Sequence, residues 1–376
     1  MSYFTYSNNF LKSEGVEIQK IAESRATPFY CYSKKAITEN YNNFKNSFKD
    51  MDVKICFSLK SNSNLSVLNI LSNLGAGADV VSEGELRKAL KAKINSNDIV
   101  FSGVGKTEEE IAFAIQNNCF QINIESLSEI KRINTIAEKI GNKQKVALRI
   151  NPDIDPNTHG KITTGMIENK FGISVSDALN IFTNSNNYKS IILNGIAFHI
   201  GSNINEIKPF EESFKIAKKL LQSLNDANIQ IETVDVGGGI GIENINFNYS
   251  DYSNLINKYL DTSKIQIILE PGRSVSANTG ILVSKILYIK RTEEKKFIII
   301  DAGMNDWMRT ALYDAQHEVV PIEQKQSKDS IETMIVGPIC ETTDQFMSSK
   351  EYFKVQENEY LAILNTGAYG SSMSSN

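Results

Sequence analysis

From about residue 53 the chain alternates between short apolar runs and longer stretches with helical spacing. The runs fall at 53–59, 77–81 (GADVV), 99–102 (IVFS), 121–124 (QINI), 146–150 (VALRI), 195–200 (GIAFHI), 233–237 (TVDVG) and 265–270 (IQIILE). They are rich in strand formers and nearly continuous in apolar residues, as strands buried on both faces are. An amphipathic helix over about 35–48, with Ile37, Tyr41, Phe44 and Phe48 at helical spacing, precedes the first of them. Three of the intervening segments open on an S/T-x-x-E capping box, at Ser82–Glu85, Thr107–Glu110 and Ser126–Glu129. Such a box satisfies two orphan backbone donors reciprocally, so each marks a strand-to-helix turn. About eight βα units in a row predict an α/β fold, a closed (β/α)8 TIM barrel, with an open doubly wound sheet as the alternative.

The flanks read differently. Residues 1 to about 27 are polar and weakly patterned, and FYCYS (Phe29–Ser33) is the first strand-like run. Beyond about 280, GILVSKILYIKR, KFIIIDAG, TMIVGPIC and YLAILNTGAYG are strand-like with no strong helices between them. We therefore expect a barrel domain over 28–278 and a β-rich domain, sandwich- or barrel-like, built from 1–27 and 279–376.

Composition narrows the function classes. A chain of 376 residues is too long for one ordinary domain, and a net charge of −4 with scattered signs argues against nucleic-acid or membrane-surface partners. Cys31, Cys56, Cys119 and Cys340 share no metal-like spacing, and with only three histidines no metal site is expected. The N-terminus lacks a basic stretch followed by an apolar run, and no apolar run is long enough to span a bilayer. The expectation is a soluble, cytoplasmic protein with reduced thiols.

In a barrel, reactive groups collect where strands end and the βα loops begin. Lys60 follows the first strand, where desolvation lowers an ammonium's pKa and frees the amine as a nucleophile; a solvated strand-end lysine is the alternative. Asp79, Ser82 and Glu83 follow the second strand, Arg149 ends the fifth, and His199 and Ser202 follow the sixth. His199 reads either as a packed core histidine or as a ring lying flat on a cofactor. The seventh strand ends in Gly237-Gly238-Gly239 and the eighth in Glu270-Pro271-Gly272-Arg273. Triple glycine lets backbone N–H groups approach an oxyanion with no Cβ in the way, and a flexible loop is the plainer reading. With Arg273 one strand later, the pair suits phosphate. A lysine that can condense with an aldehyde, beside a phosphate cradle, suggests pyridoxal 5'-phosphate. Glu270 then has a task, since a carboxylate beside the pyridine nitrogen keeps it protonated.

The motifs FSLKSNSN, GAGADVVSEGEL, FSGVGKT, NKFGI, FHIGS, DVGGGIG, EPGRS, DAGMND, GPICE and GAYGSSMSSN resemble those of diaminopimelate decarboxylases, from about Pro28 to Asn376. These are pyridoxal-phosphate enzymes of the alanine-racemase-like barrel class, related to ornithine and arginine decarboxylases. The resemblance implies Lys60 as the Schiff-base lysine, His199 as the ring-stacking residue and Glu270 as the partner of the pyridine nitrogen. Ser202, Gly237–Gly239, Gly272, Arg273 and Tyr369 would hold the cofactor, and Asp79, Glu83 and Arg149 would form a polar network around Lys60. Arg273, Arg309, Tyr313 and Tyr369 would bind substrate, with the arginines on its distal carboxylate. Cys340 as proton donor and Glu341 on the distal ammonium would come from the partner of a homodimer with shared active sites.

The implied reaction is conversion of meso-2,6-diaminopimelate to L-lysine and carbon dioxide. The alternatives are decarboxylation of another basic amino acid or carboxynorspermidine, and a non-catalytic regulatory homologue. Phe57 stands where the family usually has tyrosine, and Thr310 where it usually has proline. A Y-N-S-R-P segment and a last strand usually follow the position of Asn376, so the β-rich domain is expected to lack that strand.

Overall fold

The structure, a computed structural model, describes residues 3–156, 164–166, 168–242 and 248–375. The chain divides into two compact units, one of Asn40–Ser274 and one of Met1–Glu39 with Val275–Asn376.

The larger unit is the barrel. Its strands are β1 (Val53–Ser58), β2 (Gly77–Val80), β3 (Ile99–Phe101), β4 (Gln121–Ile124), β5 (Gln144–Ile150), β6 (Ile191–Phe198), β7 (Thr233–Asp235) and β8 (Gln266–Leu269). Neighbours in sequence pair in parallel, and β8 returns to β1 with Ile267 opposite Val53, so the sheet is closed. The open-sheet alternative is thereby set aside. Side chains such as Val100, Ile122, Leu148, Ile196, Val234 and Ile268 are fully buried, which is why these strands read as unbroken apolar runs.

All three expected caps are present, but only one is reciprocal. Thr107 and Glu110 make the full box. Ser82 and Ser126 accept the N–H groups of Glu85 and Glu129, yet those carboxylates reach back to the N–H of Val81 and Glu125, one residue before the cap. The strands have ended at Val80 and Ile124, so these N–H groups have left the ladder and take the carboxylate. Among the described residues no helix is long and apolar enough to cross a membrane.

The smaller unit is β-rich. Its main sheet runs Val319–Pro321, Tyr360–Ile363, Gly280–Arg291, Lys295–Ile300, Glu332–Val336 and Gln345–Ser349 in order, around a core that includes Ile286, Ile300, Trp307, Ile335 and Leu361. Phe29–Tyr32 pairs with Gly280–Val283, so FYCYS belongs to this sheet, while the helix after it spans Lys34–Asn46. The first residues are more ordered than their pattern suggested. Thr5–Ser7, Phe10–Ser13 and Val16–Glu17 form an antiparallel sheet, followed by a helix over Ile18–Ser24. Its turns are Asn8-Asn9 and Glu14-Gly15, all four at positive φ, as two-residue hairpin links require. Phe4, Leu11, Ile18 and Ala22 pack with Ile281, Val320 and Ile322.

Candidate active site

The C-terminal ends of the barrel strands bring the expected residues of that unit together. Lys60 lies in a single helical turn, Leu59–Ser61, directly after β1. Its Nζ donates to Asp79 Oδ2 at 2.9 Å, and the Ser58 hydroxyl donates to the same oxygen. Ser58 and Asp79 are register partners across β1 and β2, so the sheet itself sets this contact. Asp79 is fully buried. Burial alone would raise its carboxyl; the Lys60 ammonium and the bonds from Ser58 and Lys60 outweigh that and hold it below the ordinary range.

Lys60, Arg149, His199 and Glu270 line one cavity with Ser102, Asn123 and Asp235. Arg149 Nη1 donates to Glu125 Oε1 at 2.8 Å and Nη2 reaches the His199 carbonyl oxygen at 3.5 Å. Glu83, expected in the network around Lys60, accepts at its carboxylate from Arg87 on its own helix at 2.7 Å. The i,i+4 spacing makes Arg87 the neighbour a helix offers.

His199 Nδ1 accepts the N–H of Gly238 at 3.3 Å, which places any ring proton on Nε2. Burial, with Lys60 and Arg149 nearby, pushes the imidazole well below its usual pKa, so the ring is neutral. Gly237 and Gly239 have φ of +68° and +92°. A Cβ on Gly238 would fall 2.1 Å from the Glu270 carbonyl oxygen, so no side chain fits. Ser202 Oγ accepts from Arg273 Nη2 at 3.4 Å, and a Cβ on Gly272 would press on Ser58 and Ser61.

Glu270 is buried, and burial with the nearby Asp235 charge raises its carboxyl well above the ordinary range. Asp235, Ser102, Asn123 and Glu125 were missed from the sequence. Each is a polar residue in or just after an otherwise apolar strand, and that interruption was the available signal.

The remaining expected residues lie in the β-rich unit. Arg309 is buried at the start of a short helix, Arg309–Tyr313, its guanidinium 5.1 Å from the centre of the Tyr313 ring and 5.7 Å from that of Tyr369. Tyr369 is held at φ +55°. Cys340 and Glu341 are exposed on the loop after Glu332–Val336. Buried Asp344 shapes that loop by accepting the N–H groups of Ile339 and Met304, each at 2.7 Å. Thr310, Thr342 and Thr343 line one groove, so the Arg309 helix and the Cys340 loop are neighbours within this unit.

Residues 34–277 match the family model described as the pyridoxal-binding domain of pyridoxal-dependent decarboxylases. The diaminopimelate decarboxylase of Haemophilus influenzae is 40% identical over 100% of this chain and 91% of its own length. The crystal structure of the Helicobacter pylori diaminopimelate decarboxylase complexed with L-lysine superposes with a TM-score of 0.91 at 40% identity, covering 96% of this chain and 91% of that one. That of M. jannaschii, also in complex with L-lysine, gives 0.92 at 36% identity, covering 99% and 89%.

Pyridoxal phosphate fits what the barrel mouth offers: an amine at Lys60, a glycine cradle closed to any Cβ, a neutral imidazole, and carboxyl groups at Glu270 and Asp79 whose charge is tuned by burial and neighbours. On the match across its whole length and on these residues, the chain belongs to the diaminopimelate decarboxylases, a family of pyridoxal-dependent decarboxylases.

Proposed function

We propose that this protein converts meso-diaminopimelate to L-lysine and carbon dioxide, with pyridoxal phosphate held in the barrel mouth. The observation that carries the reading is the convergence of Lys60, His199 and Glu270 on one cavity. When bound, the cofactor supplies an aldehyde for an amine and a ring that accepts the electron pair left by departing carbon dioxide. Lys60 would anchor it, with Asp79 holding the lysine in place. The Gly237–Gly239 loop, Ser202, Gly272, Arg273 and Tyr369 would hold its phosphate. His199, neutral, would lie against the ring face, and Glu270 would hold a proton at the ring nitrogen.

Arg273, Arg309, Tyr313 and Tyr369 would bind substrate, the two guanidinium forks matching a distal carboxylate. Glu341 would take the distal ammonium, which separates this substrate from simpler diamino acids. Cys340, whose exposed loop lets a thiol meet solvent and substrate, would return a proton to the carbon that lost carbon dioxide. We place Cys340 and Glu341 of the partner subunit at each site of a homodimer. The four free thiols support a reducing compartment, the cytoplasm.

Two measurements test the reading. The purified protein should be yellow, and it should release carbon dioxide and L-lysine from meso-diaminopimelate while leaving L-ornithine, L-arginine and L-lysine intact. Turnover of one of those three in preference would replace the substrate; a colourless, inert protein would remove the activity.

A further inference from the structure

Glu270 has a neighbour to which the reaction above gives no task. Asp235 ends β7, is buried, and hydrogen-bonds to the Glu270 side chain. Two carboxyl groups in such contact inside a barrel cannot both be ionised while no cation lies against the pair, because like charges repel strongly where water is excluded. One proton is shared between them.

The surrounding donors decide where it resides. Thr233 Oγ1 donates to Gln121 Oε1 at 2.8 Å, Gln121 Nε2 donates to Asn123 Oδ1 at 2.8 Å, and Asn123 Nδ2 donates to Asp235 Oδ2 at 2.9 Å. The donors all face one way, and the line ends on Asp235. Reversing the Asn123 amide would set its oxygen against that carboxylate. From the other side the Gly237 N–H donates to Asp235 Oδ1 at 2.9 Å, and a backbone donor cannot turn round. Both Asp235 oxygens therefore accept hydrogen bonds, as an anion's do. Among the described residues the hydrogen-bond donor offered to Glu270 is the Ser102 hydroxyl, 3.4 Å from Oε1. Burial acts in the same sense: it pushes Asp235 up to about 6, while burial and the Asp235 charge together lift Glu270 well above the ordinary range. Of the other charges around the pair, Asp79 and Lys60 are bonded to each other, and Arg149, which lines the same cavity, is paired with Glu125.

We infer that Asp235 is a positioning residue for the cofactor's ring nitrogen: it is the fixed anion of the pair and keeps the shared proton on Glu270. The task rests on the cofactor reading above; the place of the proton is a property of the protein alone. Transfer of that proton from the Glu270 carboxyl oxygen to a ring nitrogen would conserve the charge of the site. It would also leave two anions beside the protonated nitrogen, and their combined negative charge favours the positively charged ring over the neutral one. The pair, rather than Glu270 alone, then sets how strongly the ring draws electrons.

The test uses the full chain with isotope-labelled glutamate or aspartate carboxyls, before and after loading with pyridoxal phosphate. At neutral pH the infrared spectrum of cofactor-free protein should show a protonated glutamate band that disappears in Glu270→Gln and on loading. A protonated aspartate band in its place, or neither band, would overturn the assignment. In protein loaded with 15N-labelled cofactor, the ring nitrogen of Asp235→Asn should lose its proton about tenfold more readily than wild type, one pKa unit. An unchanged nitrogen titration would reduce Asp235 to a structural role. Should the variant fail to fold, the wild-type infrared spectrum still decides. If wild type takes up no pyridoxal phosphate, the cofactor reading and Asp235's task both fall, and the infrared band separates that failure from a misplaced proton.

Discussion

Arg149 and Glu125 form a buried pair where β5 and β4 end: Nη1 lies 2.8 Å from Oε1, and the side chains are 10% and 3% exposed. The other Glu125 oxygen accepts the N–H of Gly172 at 2.8 Å, and the Glu125 N–H is itself held by Glu129. One carboxylate thus fixes the guanidinium that touches the His199 carbonyl and anchors the segment around Gly172.

Removing that carboxylate's charge should be costly. Glu125→Gln leaves a buried guanidinium without its anion, and breaking such a pair from one side costs about 3 kcal/mol. The urea midpoint should drop accordingly at an unchanged slope. A midpoint equal to wild type would mean that Arg149 finds another anion, and that Glu125 is not what holds it.

The Lys60–Asp79 pair predicts a reversal in pH dependence. In the wild type the folded-state pKa of Asp79 lies below its unfolded value, so its stabilising contribution is present above that unfolded value and is lost as pH falls through the folded one. Lys60→Ala deletes the largest opposing influence, burial then dominates, and the folded pKa rises above the unfolded value of about 3.9. In cofactor-free Lys60→Ala, stability should therefore increase relative to wild type as pH is lowered from neutral towards that unfolded value of about 3.9. Parallel urea midpoints in the two proteins would show that Lys60 does not govern this carboxyl.

Much of this was legible along the chain, for reasons of burial. A strand covered on both faces needs apolar residues at every position, so all eight barrel strands read as runs, and a lysine or triple glycine at the end of one stands out. The N-terminal sheet did not, because strands such as Val16–Glu17 and Thr5–Ser7 are too short for any period to show. Asp235 and Asn123 illustrate a second limit. They meet across 112 residues, and each alone looks like a stray polar position in a strand. Nothing local tells that such residues face one another inside a barrel. Glu83 shows the converse, since its neighbour Arg87 was four residues away.

The glycine cradle gives a third prediction. A Cβ on Gly238 would meet a backbone oxygen at 2.1 Å, which cannot yield as a flexible side chain can. Gly238→Ala should shift the loop, break the N–H bond to His199, and cost about 1–3 kcal/mol through overpacking. Affinity for pyridoxal phosphate, followed by its absorbance on titration, should fall at least about tenfold, since each 1.4 kcal/mol is tenfold. Equal affinity would show that the cofactor's phosphate lies elsewhere.

Arg309 provides a fourth. Its guanidinium lies against the rings of Tyr313 and Tyr369, an arrangement suited to a planar cation. Arg309→Lys keeps the charge and loses the fork. A hydrogen bond to a charged group is worth about 1.5 kcal/mol or more, so kcat/KM for meso-diaminopimelate should drop at least about tenfold. Unchanged kinetics would take Arg309 out of the substrate site.

The last prediction concerns which chain supplies the proton. Lys60 stands in the barrel unit, whereas Cys340 stands in the β-rich unit on an exposed loop. A two-fold symmetric dimer lets each site borrow that loop from its neighbour. Lys60→Ala and Cys340→Ala should then each be nearly inactive alone. Unfolded and refolded together in equal amounts, half of the dimers would be mixed. In a mixed dimer with shared sites, both lesions fall on one site and the other is intact. Activity should therefore return to about a quarter of wild type, from symmetry and random pairing alone. If instead Cys340 served its own chain, every site in a mixed dimer would carry one lesion and no activity would return. A refolded mixture shown by mass to contain mixed dimers, yet as inactive as its parents, would exclude the shared site.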